Sequence, residues 1–150
     1  MRWSFQLALH ERMKKDDRIL LLWCDVGLGL FKRHLADFPA RVLNPGICEP
    51  ATVSMAAGLA MAGWRPIVYT IAPFLLERAF EQIKLDVDQQ NLPVGLVGVD
   101  CPSAGPTHAC NDAAALTALL PNVRAYYPGS KEVVDLPASL DLPWYLHLRE

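Results

Sequence analysis

The apolar positions of this chain follow two alternating patterns. Short continuous runs, of which Arg18-Ile-Leu-Leu-Leu-Trp-Cys24 is the clearest, are typical of strands buried on both faces of a sheet. Between them lie segments in which apolar residues recur at helical spacing, as Ala79, Ile83 and Val87 do. The pattern therefore predicts strands that alternate with helices.

The predicted elements are six strands and six helices. The strands are expected over residues 18–24, 41–44, 66–70, 93–99, 122–127 and 144–148. The helices are expected over residues 4–15, 31–38, 50–62, 74–90, 111–120 and 130–140. Such alternation implies βαβ units, in which helices cover both faces of a parallel sheet. We therefore predict an α/β fold with three α/β/α layers and a mostly parallel six-stranded sheet.

Residues with useful chemistry follow successive predicted strands. Asp25 follows the first strand, Glu49 the second, the loop to Phe74 the third, and residues 100–108 the fourth. Ligands of parallel sheets bind beyond the carboxyl ends of the strands. We therefore expect these residues to converge on one site.

Glu49 is the most informative of these residues. It lies at the junction between a short apolar strand and a helix of small residues, near Ile47, Met55 and Leu59. A carboxylate buried there is poorly hydrated, and buried acids are seldom kept for packing alone. A carboxyl group that favours its neutral form suits proton transfer to a heterocycle. The alternative is an ordinary helix N-terminal acid, stabilised by the helix dipole.

Length and composition exclude several classes of protein. The 150 residues suit one domain, and the net charge of −2 gives no basic field for nucleic acid. No apolar run reaches the roughly 18 residues of a transmembrane helix, and the first residues lack a signal peptide's apolar core. We therefore expect a cytoplasmic protein without nucleic-acid or membrane partners.

The four cysteines form no Cys-x-x-Cys pair. Cys101, His108 and Cys110 are close in sequence and are conceivable as three metal ligands. Reduced cytosolic thiols beside an active-site loop are the favoured interpretation, and no metal ligand is predicted in this chain.

Several motifs, taken together and in order, resemble one family. The motifs are Asp25-Val-Gly-Leu-Gly, Asn44-Pro-Gly-Ile-Cys-Glu49, Ala56-Ala-Gly-Leu-Ala-Met-Ala-Gly63, Arg78-Ala-Phe-Glu-Gln-Ile83, Gly105-Pro-Thr-His108 and Pro143-Trp-Tyr-Leu-His-Leu148. In this order they resemble the pyrimidine-binding (Pyr) domain of transketolase and deoxyxylulose-phosphate-synthase-like thiamine diphosphate enzymes. The resemblance covers nearly the whole chain.

The resemblance implies roles for five residues. Glu49 would bond the pyrimidine ring of thiamine diphosphate and activate the cofactor for ketol or acyl transfer. Phe74 would stack on that ring, and Ile71 would form an apolar wall. His108 would face the reacting centre, bonding a substrate oxygen or moving a proton, and Asp25 would organise the loop after the first strand.

The resemblance also implies a partner chain. The Gly-Asp-Gly motif with a downstream asparagine, which holds Mg²⁺ and the cofactor diphosphate in this family, is absent from residues 1–150. The family's carboxyl-terminal domain is also not recognised. We therefore expect residues 1–150 to be a single Pyr domain. It would be one subunit of a split enzyme whose partner binds the diphosphate and Mg²⁺, in an α2β2 heterotetramer.

Two departures bear on the substrate. Ala104 stands where transketolases usually have an aspartate that contacts a sugar hydroxyl, and the loop from Val99 to His108 is shorter than in the family. We therefore expect a specialised ketol or acyl transfer rather than ordinary pentose phosphate chemistry. The alternatives are a thiamine diphosphate-dependent decarboxylase or acyl-transfer subunit, and a non-catalytic Pyr-domain scaffold.

Overall fold

Six parallel strands form the centre of the molecule. The computed structural model describes residues 1–27, 29–129 and 135–150. The strands are β1 (Ile19–Trp23), β2 (Val42–Leu43), β3 (Arg65–Ile71), β4 (Gly95–Asp100), β5 (Arg124–Tyr126) and β6 (Trp144–Arg149). They form one sheet in the order β2-β1-β3-β4-β6-β5, and all five pairings of these strands are parallel. The predicted α/β fold with a parallel six-stranded sheet is confirmed.

Helices cover both faces of the sheet. The helical segments are α1 (Arg2–Lys15), α2 (Lys32–Asp37), α3 (Glu49–Met61), α4 (Ala72–Leu76), α5 (Phe80–Gln82), a π-helix (Ile83–Asp88) and α6 (Ala113–Ala118). Leu21 of β1 belongs to the core layer that contains Phe5 of α1, whereas Leu22 belongs to the layer that contains Val53 of α3. Successive strand residues point to opposite faces, so a strand that is apolar at every position satisfies both layers.

The end of α3 lies where the sequence predicts it. Gly63 follows the helix with φ of +92°, a conformation that residues with a Cβ rarely adopt. Among the described residues, no helix is both long and apolar enough to span a bilayer.

The predicted single helix over residues 74–90 is wrong. The chain instead forms α4, a break, the short α5 and the π-helix. At the break, the Arg78 backbone N–H donates to the Pro73 carbonyl, five residues earlier, rather than to the residue four earlier. Apolar spacing finds the buried face of such a segment but does not show where its hydrogen-bond ladder shifts.

The predicted helix over residues 130–140 is wrong in its second half. Residues 130–134 lie outside the described part of the chain, and residues 135–140 are irregular. Pro137 lies in that stretch and has no backbone N–H to donate to a helix.

His34 of α2 should make the stability of the fold depend on pH. Burial, reinforced by repulsion from His10, lowers the pKa of this fully buried side chain to about 4. Arg33 acts in the same direction, while the Gln6 backbone and Asp37 oppose the shift. In the unfolded chain the pKa returns to about 6.5, so below that pH the unfolded state binds the extra proton.

This contribution to stability is complete above pH 6.5 and is lost as the pH falls towards 4. We expect a loss of about 2 kcal/mol at pH 5. Urea unfolding of the wild type and of His34→Leu at pH 7.5 and pH 5 measures it. An equal loss in both proteins on acidification would show that His34 is not the responsible group.

Candidate functional site

A cavity of about 290 Å³ opens at the carboxyl edge of the sheet. All five residues predicted for the site line it: Asp25, Glu49, Ile71, Phe74 and His108. The other lining residues are Cys24, Val26 and Ile47. Residues that are distant in sequence meet here because β1 and β3 are neighbours in the sheet and end at the same edge.

Glu49 is the buried carboxylate of this cavity. It is the first residue of α3, and its side chain is 1% exposed. Thr70 of β3 donates its hydroxyl to Oε1 at 3.2 Å, and Arg78 donates Nη1 to Oε2 at 2.8 Å. Each carboxylate oxygen therefore has a partner and retains a lone pair for a further donor.

The expected apolar surroundings of Glu49 are only partly present. Ile47 lines the cavity but is largely exposed, and Met55 is also exposed, because α3 turns that face away from the sheet. A fully buried acid needs a partner, and the ion pair with Arg78 supplies it.

The sequence reasoning missed the role of Arg78. Besides its ion pair with Glu49, its guanidinium lies 4.2 Å from the centre of the Phe74 ring. Arg78 lies in the break between α4 and α5, and its side chain contacts both groups. The need of a buried glutamate for a cation, together with the recognised Arg78-Ala-Phe-Glu-Gln-Ile83 motif, was the available indication.

Phe74 and His108 form one wall of the cavity. Their ring centres are 5.1 Å apart, with an edge-to-face angle of 71°. The half-buried His108 is held through its backbone carbonyl, which accepts the Cys101 N–H at 2.8 Å, and its Nδ1 lies 3.1 Å from the Thr107 hydroxyl.

Asp25 and Ile71 line other parts of the cavity. Ile71 is buried at the end of β3 and offers an apolar surface. Asp25 has a positive φ of 54° and forms two hydrogen bonds with Asn44. The Asp25 backbone N–H donates to Asn44 Oδ1, and Asn44 Nδ2 donates to Asp25 Oδ1. These bonds link the loops that follow β1 and β2.

Cys101, His108 and Cys110 do not gather as a metal site. Among the described residues, the group whose ligand atoms converge within 4.8 Å is Glu77, Cys110 and Asp112. Burial, with the neighbouring Asp112 and Glu77, raises the pKa of the Cys110 thiol to about 12. Without a metal ion, this thiol therefore stays protonated at neutral pH.

Comparison with known proteins links this geometry to one family. The family described as "Transketolase, pyrimidine binding domain" matches residues 1–135. The chain is 35% identical over 138 residues to an uncharacterised 33.6 kDa protein of the fasciation locus of Rhodococcoides fascians, covering 89% of this chain and 44% of that protein. It is 42% identical over 115 residues to 1-deoxy-D-xylulose-5-phosphate synthase of Oleidesulfovibrio alaskensis, covering 69% of this chain and 17% of the enzyme.

A solved structure extends the similarity to the complete fold. A structure described as a split-gene transketolase, inactive β4 tetramer, superimposes with a TM-score of 0.81 and 26% identity. The match covers 99% of this chain and 50% of that one. The chain thus spans half or less of the length of each of these relatives.

Proposed function

The chain belongs to the transketolase pyrimidine-binding domain family, and on that premise we propose that it is one subunit of a split thiamine diphosphate-dependent transferase. The observation that carries the proposal is the buried Glu49 carboxylate at a cavity whose walls include Phe74, Ile71 and His108. In this proposal Glu49 activates the cofactor, and the subunit supports ketol or acyl transfer.

The cavity suits the aminopyrimidine end of the cofactor. Its volume is on the order of ten water molecules, which leaves room for one planar ring. Ile71 and Phe74 provide apolar and aromatic surfaces, and Glu49 provides an acceptor for a ring N–H or a donor to a ring nitrogen. Bound thiamine diphosphate would supply the electron sink for carbon–carbon bond chemistry.

Each residue has a separate role at the cofactor ring in this proposal. Glu49 holds or gives a proton at its carboxyl oxygens, while Thr70 and Arg78 fix the direction of the carboxyl group. Phe74 orients the ring by stacking, and Arg78 stiffens Phe74 in turn. His108, beside Phe74, is placed to bond a substrate oxygen or move a proton.

The diphosphate and Mg²⁺ belong to a partner chain in this proposal. The likeness to a split-gene transketolase supports division of the enzyme between two chains. We propose that residues 1–150 act as a single Pyr domain and that two copies of each chain form an α2β2 heterotetramer. The predicted cytoplasmic location remains a prediction.

The substrate proposal rests on the loop before His108. Ala104 is exposed at the end of a short 3₁₀-helix (Pro102–Ala104) and offers no polar group for a sugar hydroxyl. We therefore propose a specialised ketol or acyl donor rather than ordinary pentose phosphates. Efficient turnover of xylulose 5-phosphate with ribose 5-phosphate by the assembled enzyme would contradict this.

Two alternatives to the transferase can be distinguished from it by experiment. A decarboxylase or acyl-transfer subunit would use the same Glu49 and Phe74. A non-catalytic scaffold would leave Glu49 in its pair with Arg78. Analysis of the reaction products distinguishes the decarboxylase or acyl-transfer subunit from the proposed transferase, and a measurement of cofactor binding distinguishes the scaffold.

Native mass spectrometry of the tagged chain, purified from its own source, tests the proposal. We expect a larger partner chain to co-purify with the masses of thiamine diphosphate and Mg²⁺. A monomer or homodimer that purifies without cofactor, and still binds none when thiamine diphosphate and Mg²⁺ are added, would instead support a non-catalytic scaffold.

Arg78 should matter for stability as well as for the site. Arg78→Met leaves Glu49 buried without its cation, and we expect a loss of about 1–2 kcal/mol. This is less than the 3–5 kcal/mol typical of a fully buried pair, because the guanidinium side chain is 43% exposed. Arg78→Lys keeps the positive charge but loses the planar contact with the Phe74 ring. Its free energy of unfolding should therefore lie between those of the wild type and Arg78→Met.

Urea unfolding at neutral pH measures these differences. The interpretation fails if Arg78→Met unfolds at the wild-type midpoint, or if Arg78→Lys is the less stable of the two variants.

A further inference from the structure

Two free thiols lie beside Glu49 and share one hydroxyl. Cys24, which follows β1, donates its Sγ–H to Thr52 Oγ1 at 3.5 Å. The Sγ of Cys48, the residue before Glu49, lies 3.7 Å from the same oxygen. Because both sulfur atoms contact one oxygen, their separation cannot exceed the sum of these two distances, and formation of a disulfide requires the Cys48 side chain to rotate towards Cys24.

The two thiols differ in accessibility. Cys24 is fully buried in the wall of the cavity, and Cys48 is half-buried. Burial, together with the nearby Glu49 and Cys48, raises the pKa of Cys24 to about 11, although the Cys48 backbone N–H partly offsets this. A small oxidant therefore reacts first at Cys48, and Cys24 acts as the second thiol.

We propose that Cys24 and Cys48 form a reversible disulfide under hydrogen peroxide, and that this bond disables the site by displacing Glu49. The Cys48 sulfur would leave the Pro45 carbonyl, to which it now donates at 3.2 Å, and move towards β1. The backbone of Cys48 continues directly into Glu49, so the carboxylate loses its alignment with Thr70 and Arg78. The consequence for activity rests on the proposed function, whereas the disulfide does not.

The chemistry balances with peroxide as the oxidant. Cys48 loses its proton, and the thiolate attacks one peroxide oxygen; the O–O bond breaks, and the departing hydroxide takes up that proton as water, leaving a sulfenic acid. Cys24 then attacks that sulfur, the S–S bond forms, the S–O bond breaks, and the departing hydroxide takes the Cys24 proton as water. Two thiols are oxidised by two electrons, and one peroxide is reduced to two waters. An external dithiol reverses the bond by exchange.

Thiol counting and peptide mapping test the disulfide without any activity assay. The chain, with whatever partner it purifies with, is treated with peroxide, denatured and alkylated. We expect the four free thiols of the chain to fall to two, with one cross-linked peptide pair containing Cys24 and Cys48, and dithiothreitol to restore all four. Four remaining thiols, a sulfinic acid at Cys48, or a cross-link through Cys101 or Cys110 would each overturn the proposal.

Variants and activity test the consequence. Cys48→Ser should form no cross-link, whereas Cys101→Ser should form the Cys24–Cys48 cross-link unchanged. In the active assembly, peroxide should lower wild-type turnover at least tenfold, with recovery in dithiothreitol, and Cys48→Ser should resist peroxide. If the disulfide forms and turnover is unchanged, its regulatory role is refuted while the proposed function stands. If the untreated assembly is inactive with all tested donors, the proposed function fails instead.

Discussion

Replacement of Glu49 by glutamine should lower the turnover of the proposed split enzyme by about 10²–10⁴-fold, the range expected for loss of a positioned acid or base. The amide keeps the size of the side chain, and its oxygen can still accept from Thr70. Its NH₂ group can neither accept from Arg78 nor exchange a proton with a ring nitrogen. The chemistry is therefore removed while the fold remains.

Turnover, assembly with the partner chain and bound cofactor are measured on the same preparation of each variant. Glu81→Gln is the matched control, because Glu81 is an exposed carboxylate outside the residues that line the cavity. We expect Glu81→Gln to behave as wild type and both variants to assemble. Turnover of Glu49→Gln within threefold of wild type would remove Glu49 from the mechanism.

Gly95→Val should destabilise the chain by about 3 kcal/mol or more, a large fraction of the roughly 5–15 kcal/mol by which a typical domain is stable. Gly95 of β4 lies opposite Trp144 of β6 in the parallel register. A Cβ at this position would lie 2.3 Å from the Trp144 Cζ2 atom, and the ring is fully packed in the core. Either the indole or the β4–β6 pairing must move, and both belong to the centre of the sheet.

Gly58→Ala is the matched control for this prediction. Gly58 lies inside α3, where an added Cβ meets no atom within 4 Å, so alanine should stabilise the chain by about 0.5–1 kcal/mol. Chemical unfolding of both variants measures the two changes. Changes of the same sign, or a Gly95→Val protein as stable as wild type, would contradict the packing seen at Trp144.

Much of the fold is readable from the sequence because strands and helices impose different spacings on apolar residues. The uninterrupted apolar run of β1 must be covered on both faces, and it is. The same spacing could not detect the break at residues 77–79, because Leu76 before it and Ile83 and Val87 after it are all buried. A shift of hydrogen bonding from four to five residues leaves the apolar pattern almost unchanged.

The sequence by itself determined the layers of the fold and which residues gather at the carboxyl edge of the sheet. The alternation of strand and helix patterns predicts the layers, and each candidate residue lies at the carboxyl end of a predicted strand or in the segment that follows it. Only the tertiary structure decided the pairing of Glu49 with Arg78, the contact of Trp144 with Gly95, and the approach of Cys24 and Cys48 to Thr52. These contacts depend on side-chain directions and distances between residues that are remote in sequence, and no local pattern records them.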